Sequence, residues 1–316
     1  MKRALNVILL ACAITVLNAC NKFSNGDVIE KSRQLNESFQ TIELYDDVNV
    51  TLKHCDAANP AGFISIKTGE NLWDNIITEV EADTFSLQVQ DSTVTIPVNK
   101  LIIRNDNNLD FLRPYDYTLE MTVYYDSLIS IQFNSNGTVT TDTLRGYNFM
   151  THFTQMSGDE ISHEFDSLVS NLHITILGGS GDLNVKTNCY RLTAFYSYGT
   201  SNFILSGKAE CAEIYGEYDC HGIIDGKDLE TDNFYGTYNG TNIIIAKAFD
   251  TFSATNNNIG RFYYVPYSKK TIFIIWGHFN EQHQWVLADT IDTTYYCPRR
   301  LVKHGDHIEN ILPYSE

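Results

Sequence analysis

Apolar and polar residues alternate in short runs along most of the chain. Residues 39–54 (FQTIELYDDVNVTLKH) and 76–98 (IITEVEADTFSLQVQDSTVTIPV) are typical of this pattern. Successive side chains of a strand point to opposite faces, so such runs describe strands with one buried side. Beyond the N-terminal segment, no window carries the three-to-four-residue spacing of an amphipathic helix with caps. The sequence therefore predicts an all-β protein.

A twenty-residue period runs through residues 171–270. The stretch divides without gaps into NLHITILGGSGDLNVKTNCY, RLTAFYSYGTSNFILSGKAE, CAEIYGEYDCHGIIDGKDLE, TDNFYGTYNGTNIIIAKAFD and TFSATNNNIGRFYYVPYSKK. The fourth position of each unit is apolar: Ile174, Ala194, Ile214, Phe234 and Ala254. Glycine and asparagine lie between the apolar positions, as tight turns require. A fixed period near twenty with strands and turns predicts a right-handed parallel β-helix, a β-solenoid whose coils stack. A β-sandwich is the structural alternative.

Two further positions of the repeat are aromatic. The fifth position holds Phe195, Tyr215 and Tyr235, and the eighth holds Tyr198, Tyr218 and Tyr238. Like positions of stacked coils lie one strand spacing apart, so each set predicts an aromatic ladder, and the two ladders should face opposite sides. One ladder would be core. An exposed ladder would suit sugar rings, with tyrosine hydroxyls as polar handles, although stacking within the fold is the stronger explanation of these rings.

The first twenty residues have the features of an export signal. A basic start at Lys2 and Arg3 precedes an apolar run over residues 4–17, which is too short to cross a bilayer of about 30 Å. The run ends in LNAC, which resembles the bacterial lipobox, so Cys20 would become a lipidated N-terminus. We predict a signal peptide over 1–19, a flexible tether over 20–36 and a lipid anchor in the bacterial outer membrane. Cleavage before Cys12 and plain secretion are the alternatives.

Five cysteines remain after Cys12 and Cys20 are set aside, and export places them in an oxidising compartment. An odd number leaves at least one thiol free. The stacked repeat favours a bridge from Cys189 to Cys211 or Cys220. No cysteine or histidine pair has zinc-site spacing, so we predict neither a metal nor a cofactor.

Acidic residues outnumber basic ones, with 39 Asp and Glu against 22 Lys and Arg and a net charge of −17. This charge argues against nucleic acid as a partner. Three acidic pairs could serve acid/base chemistry: Asp46 with Asp47, Glu79 with Glu81, and Asp225 with Asp228. The coils nevertheless hold no aligned column of charged residues and the chain has no nucleophile motif. A polysaccharide-processing enzyme is therefore the weaker hypothesis.

Three segments carry a resemblance to a known family: ESFQTIELYDDVNVTLKH, ISIKTGENLWDNIITEVEADTFSLQVQ and IGRFYYVPYSKKTIFIIWG. The chain resembles the putative auto-transporter adhesin, head GIN domain family over roughly residues 37–280. Its members open with a Phe-x-x-Ile strand and a Val-x-Val strand before β-helical coils, and the matching positions here are Phe39, Ile42, Val48 and Val50. The resemblance implies an exported, often lipidated protein and brings no catalytic residues.

These observations predict a β-helical domain over residues 37–270, followed by capping strands and a polar, fraying tail over 271–316. The predicted function is a non-catalytic, adhesin-like binding module of the cell envelope for glycans or extracellular matrix. The membrane is the expected partner through the lipid on Cys20, together with a glycan or an envelope or host protein. A structural envelope lipoprotein with a protein partner is the main functional alternative.

Overall fold

The computed structural model describes residues 25–46, 48–89, 92–106, 119–134, 137–155, 162–241, 243–265, 269–279, 285–296 and 300–314. The strands within them are β1 (Val28–Gln34), β2 (Thr41–Tyr45), β3 (Asn49–His54), β4 (Phe63–Gly69), β5 (Ile76–Val89), β6 (Ser92–Asn105), β7 (Glu120–Tyr125), β8 (Ser130–Asn134), β9 (Val139–Gln155), β10 (Ser162–Ile176), β11 (Asp182–Gly199), β12 (Phe203–Cys220), β13 (Ile223–Tyr238), β14 (Ile243–Ala246), β15 (Thr251–Asn256), β16 (Arg261–Tyr264), β17 (Lys269–Phe279), β18 (Trp285–Tyr296), β19 (Arg300–His304) and β20 (Ile311–Pro313). Two short 3-10 helices, Glu70–Asn75 and Ile308–Asn310, complete the regular structure of these residues.

The strands form two faces of a solenoid that enclose one core. The front face has the order β5-β6-β2-β8-β9-β10-β11-β12-β13-β15-β19-β17-β18. The back face has the order β1-β4-β7-β3-β9-β10-β11-β12-β13-β14-β16-β20. Strands β9 to β13 bend and contribute to both faces. Coil-to-coil pairing is parallel, so the prediction of a β-helix is confirmed and the sandwich alternative is wrong.

The coil length is less uniform than the gapless repeat predicts. Ile174 pairs with Ala194 and Ala194 with Ile214, which keeps the period of twenty. Two bulges then lengthen the next coil by one residue each, in β12 between Gly216 and Asp219 and in β13 between Asp225 and Asp228. As a result, Ile214 pairs with Gly236, twenty-two residues later. Phe234 pairs with Phe252, eighteen residues later, which restores an average coil length of twenty residues. A bulge adds a residue to one strand without disturbing the alternation that follows it.

Inward-pointing positions of both faces form the core. The four family positions Phe39, Ile42, Val48 and Val50 are all buried in it. The largest fully buried side chains are Tyr125, Tyr196, Tyr238, Phe133, Phe149, Phe203, Phe234, Phe252, Phe262, Ile42 and Leu44. Large aromatic rings can fill the space between two faces that are about 10 Å apart.

Part of the predicted flexible tether over residues 20–36 is a strand at the N-terminal end of the solenoid. Residues Val28–Gln34 are not a flexible spacer but strand β1, which pairs antiparallel with β4. The Arg33 guanidinium lies 4.6 Å from the ring centroid of Trp73 and donates to the Trp73 carbonyl at 3.0 Å. Polar contacts hold this edge strand, so its sequence lacks the alternation of apolar and polar residues from which strands were predicted. Residues 1–24, with the predicted signal peptide and Cys20, lie outside the described residues.

The C-terminal end also differs from the expectation of a fraying tail. Strand β19 pairs with β15, and β20 pairs with β16, so these residues form one more coil. Leu301 and Ile311 are buried in the core. The strands expected after residue 270 are the antiparallel hairpin β17–β18, and β17 pairs with β19. In the part of the chain that is described, no helix is long and apolar enough to cross a membrane.

Candidate ligand-binding surface

A group of aromatic side chains lies on the outer side of the front face. The rings of Phe195 and Tyr215 stack with their centroids 4.8 Å apart and their planes 14° from parallel. The His173 ring lies 5.5 Å from Phe195 on the preceding coil. Phe195 is 41% exposed and Tyr235, on the following coil, is 43% exposed. We call His173, Phe195, Tyr215 and Tyr235 the aromatic patch.

Strand alternation places these rings outside. Ala194 and Tyr196 point into the core, so Phe195 between them points to solvent. The exact twenty-residue spacing pairs Phe195 with Tyr215 on adjacent strands. Ring spacing along the stack therefore equals the distance between hydrogen-bonded strands, about 4.8 Å. The rings sit on a sheet that is bonded on both sides, which holds them in place.

The predicted ladder of the fifth position is wrong beyond Tyr215. Because of the bulges in β12 and β13, the residue that pairs with Tyr215 is Thr237, whereas Tyr235 pairs with Glu213. The stack therefore ends at Tyr215, whose second ring face has the small Thr237 as its neighbour instead of an aromatic ring. Tyr235 lies diagonally across from Tyr215 on the neighbouring strand, because the residues directly opposite the two tyrosines are Glu213 and Thr237.

Charged groups border the aromatic patch. The Arg191 guanidinium donates to Glu213 at 2.6 Å, and this bond raises the pKa of Arg191. Partial burial, followed by the charge of Glu213, raises the pKa of the Tyr215 hydroxyl, which therefore stays protonated at neutral pH. Ser197 donates to Glu217 on the same face. The surface thus combines ring faces with hydroxyl donors and carboxylate acceptors.

The eighth-position ladder is not formed either. Tyr238 is 1% exposed and donates its hydroxyl to the Cys220 carbonyl at 3.1 Å, so it is core. Tyr198 is 52% exposed but pairs with Asp219 after the bulge. The Tyr218 side chain lies outside the described side chains. Sequence reasoning also missed His173, Arg191 and Glu213. His173 and Glu213 are at the third position of their repeat units and Arg191 is at the first position. These positions lie on the same side of the strand as the fifth position, so alternation could have identified them as outward-facing.

The predicted disulfide is absent from the structure. Among the described residues, Cys55, Cys189, Cys211 and Cys220 form no disulfide bond, and Cys297 lies outside the described residues. Cys189 pairs with Ala209 in the core, whereas Cys211 pairs with Arg191 on the outer side. Burial raises the pKa of the Cys189 thiol. Buried Cys220 donates to the Tyr196 carbonyl at 2.8 Å.

Members of two of the three acidic pairs are bound to basic side chains. Glu79 forms an ion pair with Arg104 at 3.0 Å, and Asp225 forms one with Lys227 at 3.3 Å. Asp47 lies outside the described residues. Over the described residues, no three His, Cys, Asp or Glu side chains are grouped as a metal site would require.

Comparison with known proteins identifies the family. Residues 38–266 match the family described as putative auto-transporter adhesin, head GIN domain. A putative adhesin from Parabacteroides merdae has a similar structure, with a TM-score of 0.61, 14% identity, and coverage of 90% of this chain and 98% of its own. A putative adhesin from Bacteroides fragilis has a TM-score of 0.52 and 15% identity, with coverage of 91% of this chain and 96% of its own. A putative lipid binding protein from Parabacteroides distasonis has a TM-score of 0.57 and 12% identity, with coverage of 92% of this chain and 98% of its own. These likenesses show the fold. No curated protein matches the chain.

Proposed function

The chain belongs to the putative auto-transporter adhesin, head GIN domain family, and from this premise we propose that it is a non-catalytic binding module of the bacterial cell envelope. In this proposal a lipid on Cys20 holds the protein at the outer membrane, and the aromatic patch binds a glycan. The solenoid acts as the rigid support of the patch. A protein of this kind needs no acid/base pair, because it holds its ligand without changing it.

The observation that carries the proposal is the end of the aromatic stack at Tyr215. A flat ring beside the small Thr237 offers an apolar surface to the carbon-bound hydrogens of a sugar ring. Glu213 and the hydroxyls of Tyr215 and Tyr235 lie close enough on adjacent strands to hydrogen-bond sugar hydroxyls. Apolar contact with a few well-placed polar groups is the usual composition of a small-ligand site.

The negative charge of the protein favours neutral over acidic glycans as ligands. The protein carries a net charge of −17, and the patch contains Glu213 with Glu217 nearby. Arg191 is already paired with Glu213. Acidic glycans would meet like charge both at long range and at the site. We therefore propose neutral glycans as the ligand.

Binding to neutral and acidic oligosaccharides tests this proposal. We expect the purified protein to bind a neutral glycan, and Tyr215→Ala to weaken that binding by about tenfold or more, since it removes the terminal ring. Tyr198→Ala is the control, because Tyr198 is also an outward-facing tyrosine, 52% exposed, but is not part of the stack. Unchanged affinity in Tyr215→Ala, or a preference for acidic glycans, would contradict the proposal.

Protease treatment of intact cells tests the location. A chain displayed outside the cell is degraded, whereas a chain facing the periplasm is protected until the outer membrane is opened. Cys20→Ala is the control for anchoring, and we expect that variant to leave the membrane fraction. Full protection of the wild-type chain would favour an internal envelope role over adhesion.

A further inference from the structure

The hairpin β5–β6 extends sideways beyond the body of the solenoid. Strand β2 pairs with β6 from Lys100 onward, and Asn99 makes the last contacts, with Ser38 and Gln40. Residues 84–89 then pair only with 92–97 among the strands that are described. We call residues 84–89 and 92–97 the arm. About six paired residues in each strand correspond to a projection of roughly 20 Å.

One side of the arm is apolar. Phe85 pairs with Ile96, and Val94 follows Ile96 on the same side at the next alternate position. Ile96 is 37% exposed and Val94 is 45% exposed. The opposite side is polar, and there Ser86 and Thr95 share a hydrogen bond of 2.9 Å between their hydroxyls. An amphipathic two-stranded ribbon without a neighbouring layer leaves its apolar side available for a partner.

The arm carries little charge in a strongly acidic protein. None of its twelve residues has an ionisable side chain. At the root of the arm, Asp83 pairs with Lys100 at 3.2 Å and Glu79 pairs with Arg104 at 3.0 Å. These pairs offset the acidic charge where the arm joins the solenoid. Low net charge lets this region approach a surface that would repel the rest of the molecule.

The tether begins at the same end of the solenoid. Asn25 accepts a hydrogen bond from the Asn71 amide at 3.0 Å, in the 3-10 helix that leads directly into β5. Only four residues separate Cys20 from Asn25, and these five residue-to-residue steps span roughly 17 Å when fully extended. A lipid on Cys20 would therefore hold this end close to the bilayer.

Trp73 in the same 3-10 helix is partly buried against the core. Lys31 lies 5.3 Å and Arg33 lies 4.6 Å from its ring centroid. The Arg33 guanidinium donates to the carbonyls of Trp73 and Ile76, so exposed Lys31 is the basic side chain beside this ring that can meet lipid phosphate.

We propose that the apolar side of the arm contacts the lipid bilayer to which Cys20 tethers the chain. This inference rests on the lipid anchor of the proposed function. A short tether makes the contact intramolecular, so a small apolar area suffices where it would not bind a membrane unaided. The arm is then a second membrane contact that limits how the solenoid tilts over the surface.

Site-specific photocrosslinking in the full-length lipidated protein tests this contact. A photoreactive phenylalanine analogue replaces Val94, and the matched control replaces Thr95, the adjacent residue on the polar side. After irradiation of isolated outer membranes, phospholipid adducts are measured by mass spectrometry. We expect at least about fivefold more lipid adduct from position 94 than from position 95, because a ribbon at an interface presents one side to the acyl chains.

The outcomes separate this inference from the anchor itself. Equal adduct yields at the two positions, or adducts from position 94 to a second copy or another protein, overturn the inference while the anchor stands. A wild-type chain that is found outside the membrane fraction overturns the anchor and the inference together. Both proteins carry the same analogue at exposed positions, so misfolding of one alone would show as altered circular dichroism and is checked before irradiation.

Discussion

Gly216 makes room for the buried ring of Tyr238, which pairs with it from the next coil. A β-carbon at this position would overlap the ring atoms Cδ2 and Cε2 of Tyr238. We therefore expect Gly216→Ala to destabilise the protein by about 3 kcal/mol, because overpacked cores do not relax freely. Chemical denaturation measures the change. In Tyr238→Leu, which lacks those ring atoms, adding Gly216→Ala should cost much less, and strictly additive costs would contradict the steric explanation.

Two buried tyrosines make the protein sensitive to alkaline pH. Burial raises the pKa of Tyr125 and Tyr196 far above the ordinary value of 10. Below pH 10 both hydroxyls are protonated in the folded and unfolded states, so stability is unaffected. Above pH 10 the unfolded chain loses these protons and the folded protein keeps them, which favours unfolding by about 1.4 kcal/mol per pH unit for each tyrosine.

Tyr196→Phe tests this alkaline sensitivity. The variant loses the hydrogen bond from the Tyr196 hydroxyl to the Ser201 carbonyl, 3.0 Å long, and we expect it to cost about 1 kcal/mol at pH 8. Between pH 10 and 11 its stability should fall less steeply than that of the wild type. Denaturation with a reductant present, at several pH values, measures both slopes. The surface variant Tyr235→Phe is the control, and equal slopes in the wild type and Tyr196→Phe would contradict the prediction.

At the scale of elements, the last coil depends on one buried asparagine. Asn256 donates to the carbonyls of Gly260 at 2.8 Å and His307 at 3.3 Å, and its own carbonyl accepts from the His307 amide at 3.1 Å. Replacing its side chain leaves buried carbonyls without their donor, which costs about 1–3 kcal/mol. We expect Asn256→Ala to loosen β19 and β20 before the central coils.

Hydrogen exchange read strand by strand tests this order. Amides of residues 300–304 and of Ile311 and Leu312 should exchange faster in Asn256→Ala, while those of β11 keep their wild-type protection. Asn257→Ala is the matched control, because the Asn257 side chain is exposed and bonds only to Asn239. Loss of protection along the whole solenoid would mean that the last coil is not a separate unit.

The repeat predicted the architecture but not the register. Inward positions such as Ala194 and Ile214 follow from alternation and a period of twenty, and they are buried as expected. The bulges in β12 and β13 lie among polar and small residues whose spacing looks regular, so a gapless alignment passes over them. Together they move Tyr235 away from Tyr215 and leave Thr237 in its place. β1 escaped prediction because its contacts, such as Arg33 over Trp73, are polar and distant in sequence.

At the scale of the whole molecule, the solenoid separates the two proposed contacts. The arm belongs to β5 and β6 at one end of the front face, and the rings of Phe195 and Tyr215 lie on β11 and β12. Five or six strand spacings of about 4.8 Å lie between β6 and these strands, a distance of roughly 25–30 Å. An anchored base and a rigid stack of coils would thus hold the aromatic patch clear of the membrane surface.

The same stacking would leave strand edges open to self-association at the C-terminal end of the solenoid if other strands did not cover them. Strands β15 and β16 end the regular repeat, and β19 and β20 occupy their outer edges. A chain that stops after Val265 would expose both edges together with the core rings of Phe252 and Phe262. Uncovered parallel strands are templates for further strands, so we expect this truncated chain to self-associate where the full-length chain does not. Light scattering at matched concentrations measures the difference. A truncated chain that stays monomeric and folded would show that the coils need no cover at this end.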